Sequence, residues 1–164
     1  MIVVSDTTPL RYLILIEQVQ LLPELFGRVV TTPDVVDEMN QPESPERIKL
    51  WVASLPNWLE VRQPIGHLPG VSRLGRGEAS AISLAMELKA DVLLIDERDG
   101  TRVARAEGLF VTGTLGVLTT ASKQGLVSLR SALDALAKTN YRHSPQMFES
   151  LIREDESGGD QTPH

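Results

Sequence analysis

The chain has no cysteine, which excludes a disulfide framework, an iron–sulfur cluster and a thiolate zinc site. Histidine is scarce as well, since His67, His143 and His164 are scattered and make no ligand pattern. Any metal must therefore be held by oxygen. No segment approaches the roughly 20 consecutive apolar residues that a membrane-spanning helix needs. The N-terminus enters a strand-like run without the basic region and separate apolar stretch of a secretory signal. A soluble cytoplasmic protein with no membrane partner is expected. Positive charge is in deficit: 16 Lys and Arg against 22 Asp and Glu leave a net charge of −6. That argues against broad electrostatic adhesion to nucleic acid, which is mostly neutralisation of phosphates by Lys and Arg. It leaves a nuclease open, because carboxylates that hold metal ions add to the acidic count. Phosphate-loop glycine patterns and internal repeats are also missing.

What is present is enough for one ordinary domain. At 164 residues and 41% hydrophobic content, the chain can bury its own core and is too short for two comfortable ones. A domain over residues 1–153 is expected. The tail 154–164 is polar, contains Gly and has nothing to bury, so it is expected to be disordered. Strand-like runs at Ile2 to Ser5, Val29 to Thr31, Trp58 to Val61, Val92 to Ile95 and Leu109 to Val111 alternate with helical segments. This alternation predicts an α/β fold with a parallel sheet flanked by helices.

The helical segments have readable starts. Thr8 as cap with Pro9 at the first helical position opens one, and Thr32 with Pro33 opens another that carries Val35, Val36 and Glu38. A turn at Gln41 to Pro45 precedes a helix around Arg47 to Ser54. A loop rich in Pro and Gly then runs from Gln63 to Gly77, long enough to serve as a functional flap. Gly77 to Lys89 is the most regular helical stretch. Further helices are predicted from Asp99 to Glu107, ending at Gly108, then from Gly113, from Leu129 to Thr139, and from Pro145 to Arg153.

Four acids stand where carboxylates are least expected by default. Asp6 and Asp96 close the apolar runs that end at Ser5 and Ile95, while Glu38 and Glu78 lie on predicted helices. In a parallel α/β sheet, ligands collect outside the carboxyl ends of the strands, so these strand-end acids point at a crevice. Two ionised groups ~4 Å apart repel by about 4 kcal/mol at an effective dielectric of 20, and a divalent cation removes that conflict. Mg²⁺ prefers oxygen ligands and takes one or two carboxylates directly, so four acids suit one or two Mg²⁺ or Mn²⁺ ions. Such ions orient a water and stabilise charge on a phosphodiester. The bland alternatives are a solvated helix edge for Glu38, a charge favoured by the helix dipole for Glu78, and helix capping for Thr8. Asp34, Asp37, Glu97 and Glu107 are read as solvated surface acids.

Five short segments, in order, carry a family resemblance: Ser5-Asp6-Thr7-Thr8-Pro9-Leu10, Pro33-Asp34-Val35-Val36-Asp37-Glu38, Gly77-Glu78-Ala79-Ser80-Ala81-Ile82, Leu94-Ile95-Asp96-Glu97-Arg98-Asp99 and Thr112-Gly113-Thr114-Leu115-Gly116-Val117-Leu118. Over residues 1 to about 140 the chain resembles the PIN-domain proteins, especially an uncharacterised prokaryotic branch of the VapC-like ribonucleases. The resemblance implies a three-layer α/β fold, a homodimer, dependence on Mg²⁺ or Mn²⁺, and ribonuclease activity. Many such relatives are toxins of VapBC-type toxin–antitoxin pairs, which makes an antitoxin protein an expected partner. Residue by residue, Asp6, Glu38, Glu78 and Asp96 match the four family acids, as catalytic groups and metal ligands, and Asp99 is an accessory metal ligand. Glu78 stands where many relatives have Asp. Thr7 or Thr8 matches the small hydroxyl residue that contacts the site, and Thr7 is taken as a substrate contact.

Arg98, Arg102 and Arg105 recur at i, i+4 and i+7 after Asp96. They are expected to grip RNA phosphates, to which Arg offers bidentate geometry. Other enzyme classes fail at particular residues. A receiver domain wants an acidic pair after its first strand and a later lysine, and a haloacid dehalogenase-type phosphatase wants an acid two residues after its nucleophile, where Thr8 stands. The expected function is a metal-dependent ribonuclease, the toxin of a toxin–antitoxin pair. The alternative is a PIN-like binding module that has lost activity.

Overall fold

Five short runs, most of them apolar, become the strands of one sheet in the computed structural model, which describes residues 1–66 and 74–160, with the side chains of residues 159 and 160 excepted. They are β1 (Val3–Ser5), β2 (Val29–Thr31), β3 (Leu59–Val61), β4 (Val92–Leu94) and β5 (Val111–Thr112). All neighbours pair in parallel in the order β3-β2-β1-β4-β5. Between β1 and β4 the register sets Val3 against Val92, Val4 against Leu93 and Ser5 against Leu94. Val3, Val4, Leu93 and Leu94 are wholly buried, as expected of central strands covered on both faces by helices.

The flanking helices are α1 (Thr7–Leu15), α2 (Leu21–Phe26), α3 (Pro33–Met39), α4 (Glu46–Ala53), α5 (Arg76–Leu88), α6 (Arg98–Ala106), α7 (Thr114–Lys123), α8 (Leu129–Ala137) and α9 (Pro145–Asp160). The result is the three-layer α/β arrangement the sequence predicts. In α5, Ala81, Ile82, Leu84 and Ala85 are fully buried, and this helix packs on α3 and β1. Because α3 and α5 pack on each other, the acids that each carries come to the same end of the sheet.

Several boundaries differ from expectation for local reasons. Thr8 is not the cap of α1: the helix begins at Thr7, with Asp6 extended in front of it at φ −80°, ψ 177°. Pro9 then occupies the third helical position, where its missing N–H still falls among the first four, which lack an intrahelical acceptor. Helix α2 has no counterpart in the sequence reading, because six residues around Pro23 are too few to show a period. The flap expected from Gln63 to Gly77 lies in part (67–73) outside the described residues.

The tail differs as well. Helix α9 continues past Arg153 to Asp160, where disorder from residue 154 was expected. Its polar side chains find partners on the body of the protein: Ser122 Oγ donates to Asp155 at 2.8 Å and Arg130 pairs with Glu156 at 2.9 Å. Apolar packing was therefore not required to extend it. Among the described residues no helix is long and apolar enough to cross a membrane.

Candidate active site

The strand order reverses direction between β1 and β4, which makes their carboxyl ends the switch point of the sheet, where parallel α/β proteins open a crevice. Asp6 follows β1 directly, and its backbone N–H donates to Leu94 O of β4 at 2.9 Å. That bond carries the sheet pairing one residue beyond the strand and leaves the Asp6 side chain 1% exposed. Asp96 follows β4 by two residues and is half-buried. The two strand-end acids therefore lie on adjacent strands at the same edge.

Helices bring the other two. The Thr32 side chain accepts from Val35 N at 3.2 Å and starts α3. Val35 and Met39 then face the core, and Glu38 stands at the border of that stripe. The Thr7 hydroxyl donates to Glu38 Oε2 at 2.6 Å, and the Gly77 N–H donates to Oε1 at 2.9 Å. Glu38 is thus tied to the first turns of both α1 and α5. A Cβ at position 77 would lie 2.6 Å from Glu38 Oε2, so glycine here is what lets the Glu38 carboxylate lie against the first turn of α5. Glu78, the next residue, enters the cavity that Asp6, Thr7, Thr8, Arg11, Tyr12, Glu38 and Asn140 also line, about 400 Å³ in volume.

Asp96 is held at the amino end of α7. The Thr114 N–H donates to Oδ1 at 2.9 Å and the Thr114 hydroxyl to Oδ2 at 2.6 Å. The Tyr141 hydroxyl adds a longer contact to Oδ1 at 3.4 Å. A carboxylate is favoured there because the helix dipole and the free N–H groups point at it. A Cβ at Gly113 would collide with Asp96 Oδ1. Burial and the adjacent Asp96 carboxylate push the Tyr141 phenol well above its usual value, so it remains a donor.

The four carboxylates divide into two kinds. Both oxygens of Glu38 and both of Asp96 accept hydrogen bonds, whereas Asp6 Oδ1 and Glu78 Oε2 are buried with no partner. Burial is the main cause that raises Asp6 from 3.8 to about 7; the Thr7 N–H pulls the other way, and Glu78, Glu38 and Asp96 push it further up. Glu78 is raised from 4.5 to about 7, first by burial and then by Glu97, Glu38 and Asp99, with the Gly75 backbone opposing. Burial also raises Asp96, against the hydrogen bonds from Thr114 and Tyr141. Mutual repulsion and two unpaired buried oxygens are conflicts that a divalent cation would relieve.

Among the described residues, no group of three or more His, Asp or Glu side chains is arranged to hold a metal ion. The donor set is all oxygen, and its two free members, Asp6 Oδ1 and Glu78 Oε2, suit a hard divalent ion.

The remaining predicted residues gather around this cavity. Thr7 meets Glu38 directly. Asp99 is exposed in the first turn of α6, and its charge reaches Glu78. Arg98, Arg102 and Arg105 line a neighbouring cavity of about 470 Å³ together with Asp96 and Thr101. Arg76 flanks Glu78 in sequence but pairs with Asp34 at 2.7 Å. Sequence reasoning missed Thr114 as a site residue, and with it Tyr12, Asn140 and Tyr141. Tyr12 donates to Asn140 Oδ1 at 2.8 Å and meets Tyr141 edge to face at 5.0 Å. For Thr114 a signal existed, since a hydroxyl residue opening a helix after β5 must stand at the same sheet edge as Asp96. For the tyrosines no local signal exists.

Comparison with known proteins agrees with this architecture. The family model of the PIN domain, DUF3368, matches residues 2–157. A PilT N-terminus domain protein from the hyperthermophilic archaeon Sulfolobus solfataricus P2 is similar in structure, with a TM-score of 0.51 and 19% identity over 88% of this chain and 100% of its own. At that identity the likeness is one of fold. No curated protein sequence matches the chain.

Proposed function

The chain belongs to the PIN-domain family, and on that premise we propose that it is a divalent-metal-dependent ribonuclease that hydrolyses RNA phosphodiester bonds. PIN domains are generally nucleases that use divalent metal ions. The observation that carries the reading is the meeting of Asp6, Glu38 and Glu78 in one cavity at the sheet's switch point, with Asp96 beside it and two buried carboxylate oxygens unpaired. The proposal includes Mg²⁺ or Mn²⁺ as the ion, a homodimer in the cytoplasm, and the role of toxin in a type II pair with an antitoxin protein. The ion, the homodimer and the toxin role rest on the family resemblance.

In this reading Asp6 and Glu78 offer their free oxygens to the ion. Glu38 and Asp96, kept in place by Thr7, Gly77 and Thr114, complete the donor set, with Asp99 as an outer acid. When bound, the ion neutralises charge on the scissile phosphate and acidifies a water, which is the nucleophile. No side chain has to attack. Thr7 and Thr114 hold their partner carboxylates in one orientation, and Asp6 is itself 1% exposed.

Incubation of purified protein with a mixed RNA pool and Mn²⁺, beside Asp6→Asn and an EDTA control, tests this. Cleavage that disappears in both controls is expected. A second reading, a binding module without activity, draws on the engagement of both oxygens of Glu38 and of Asp96 by hydrogen bonds. RNA bound but left uncut by the Mn²⁺-loaded protein would favour it.

A further inference from the structure

Helix α6 presents cations that its own stability does not explain. Arg98 is its first residue, at the positive end of the helix dipole, and Arg102 follows it at i+4, a like-charge pair that works against the helix. Only Arg105, in the last turn, suits the dipole. Arg98, Arg102 and Arg105 are all exposed, and among the described residues none of them makes an ion pair. This is so although Asp99 stands three residues before Arg102, and although Arg47, Arg62, Arg76, Arg130 and Arg153 all find acids elsewhere. In a chain of net charge −6, unpaired guanidinium groups along one helix are free to meet a partner that brings its own negative charge.

Their position says which partner. The cavity lined by Arg98, Arg102 and Arg105 includes Asp96. Asp96 and Arg98 also line a second cavity of about 680 Å³, where Arg142, Asn140 and the Tyr12–Tyr141 pair stand. The two cavities therefore adjoin across Asp96, with Arg142 in one and Arg102 and Arg105 in the other. We propose that these arginines form a continuous phosphate track on which an RNA strand lies across the acidic site, held on one side of the scissile bond by Arg102 and Arg105 and on the other by Arg142, with Arg98 between. Arg105 stands seven residue steps along α6 from Arg98, a span of about 10 Å at 1.5 Å per residue, so this side reaches beyond the scissile phosphate itself. The track rests on the ribonuclease reading for its substrate, but binding along it requires neither the ion nor cleavage.

Fluorescence anisotropy with a labelled single-stranded RNA, in EDTA so that no strand is cut, tests the track over a salt series. The Arg102→Ala/Arg105→Ala double variant should weaken binding about tenfold and lower the slope of log affinity against log salt by about 1.4, two released contacts at about 0.7 each. Arg142→Ala should lower the slope by about half as much. Arg28→Ala, which removes one charge at the opposite end of the sheet, should leave affinity near the parent value. All four positions are exposed, and thermal melts equal to the parent's would confirm intact folds. Affinity and slope unchanged in the double variant overturn the track even if Mn²⁺-dependent cleavage is observed. Loss of binding in a protein that never cleaves leaves the track standing and removes the nuclease reading alone.

Discussion

Glu38 and Gly77 meet so closely that the space between them admits only hydrogen: the Gly77 N–H donates to Oε1 at 2.9 Å, and a Cβ at 77 would lie 2.6 Å from Oε2. The contact fastens α3 to the first turn of α5 and places Glu38 beside Glu78. The atoms a Cβ would strike are the far end of a flexible side chain, so Glu38 can swing away with little disturbance of the backbone.

Gly77→Ala should therefore separate site from fold. Alanine is the better helix former by up to about 1 kcal/mol, so the melting temperature should stay level or rise by a few degrees. Glu38 should be displaced, and RNA cleavage should fall at least about tenfold, the equivalent of ~1.4 kcal/mol in the barrier. Thermal melts and cleavage rates on the same preparation check this, and a variant that cuts like the parent would show that Glu38 need not be held here.

The metal-free fold should be more stable in mild acid than in mild base. Asp6 and Glu78 are raised to about 7 in the folded chain, and Asp96 is shifted in the same direction. In the unfolded chain such groups titrate near 4, so between about pH 4 and 7 the folded state binds more protons. The stabilisation is then fully present below the unfolded values and is lost as pH rises through about 7. In EDTA the melting temperature should be higher at pH 5 than at pH 8, and Mn²⁺ should restore it at pH 8. A melting temperature that climbs from pH 5 to pH 8 without metal would contradict the assignment.

Thr114→Val deletes the hydroxyl bond to Asp96 Oδ2 and keeps the backbone bond to Oδ1. A hydrogen bond to a charged group contributes about 1.5–3 kcal/mol. Its loss should raise the Asp96 pKa further and move the acid limb of the kcat/KM profile to higher pH. An unmoved acid limb would mean that Asp96 does not have to be ionised for cleavage.

The first four strands and the strand-end acids were legible in the sequence because each is signalled by its neighbours, whereas the run Leu109 to Val111 meets β5 only at Val111. Val29 to Thr31 matches β2 at both ends, with Gly27 before it and the Thr32-Pro33 helix start behind. Asp6 and Asp96 could be placed because an acid that ends an apolar run in a parallel sheet has one edge to occupy. The division of labour among the acids could not be read. It depends on which oxygens find donors, and those donors come from afar: Thr7 to Glu38 across 31 residues, Tyr141 to Asp96 across 45. The extent of α9 was equally hidden, since Asp155 and Glu156 are fixed by Ser122 and Arg130 rather than by any periodicity of their own.

The claim on which the rest depends is that the unpaired oxygens of Asp6 and Glu78 take a divalent ion. Titration of the metal-free protein with Mn²⁺ at pH 8, followed by calorimetry, tests it for the parent, Asp6→Asn and Glu78→Gln. The account predicts saturable binding by the parent, at least tenfold weaker (about 1.4 kcal/mol) in each variant, while both variants remain folded. Mn²⁺ affinity that is unchanged by either substitution, or no binding by a folded parent, would contradict it.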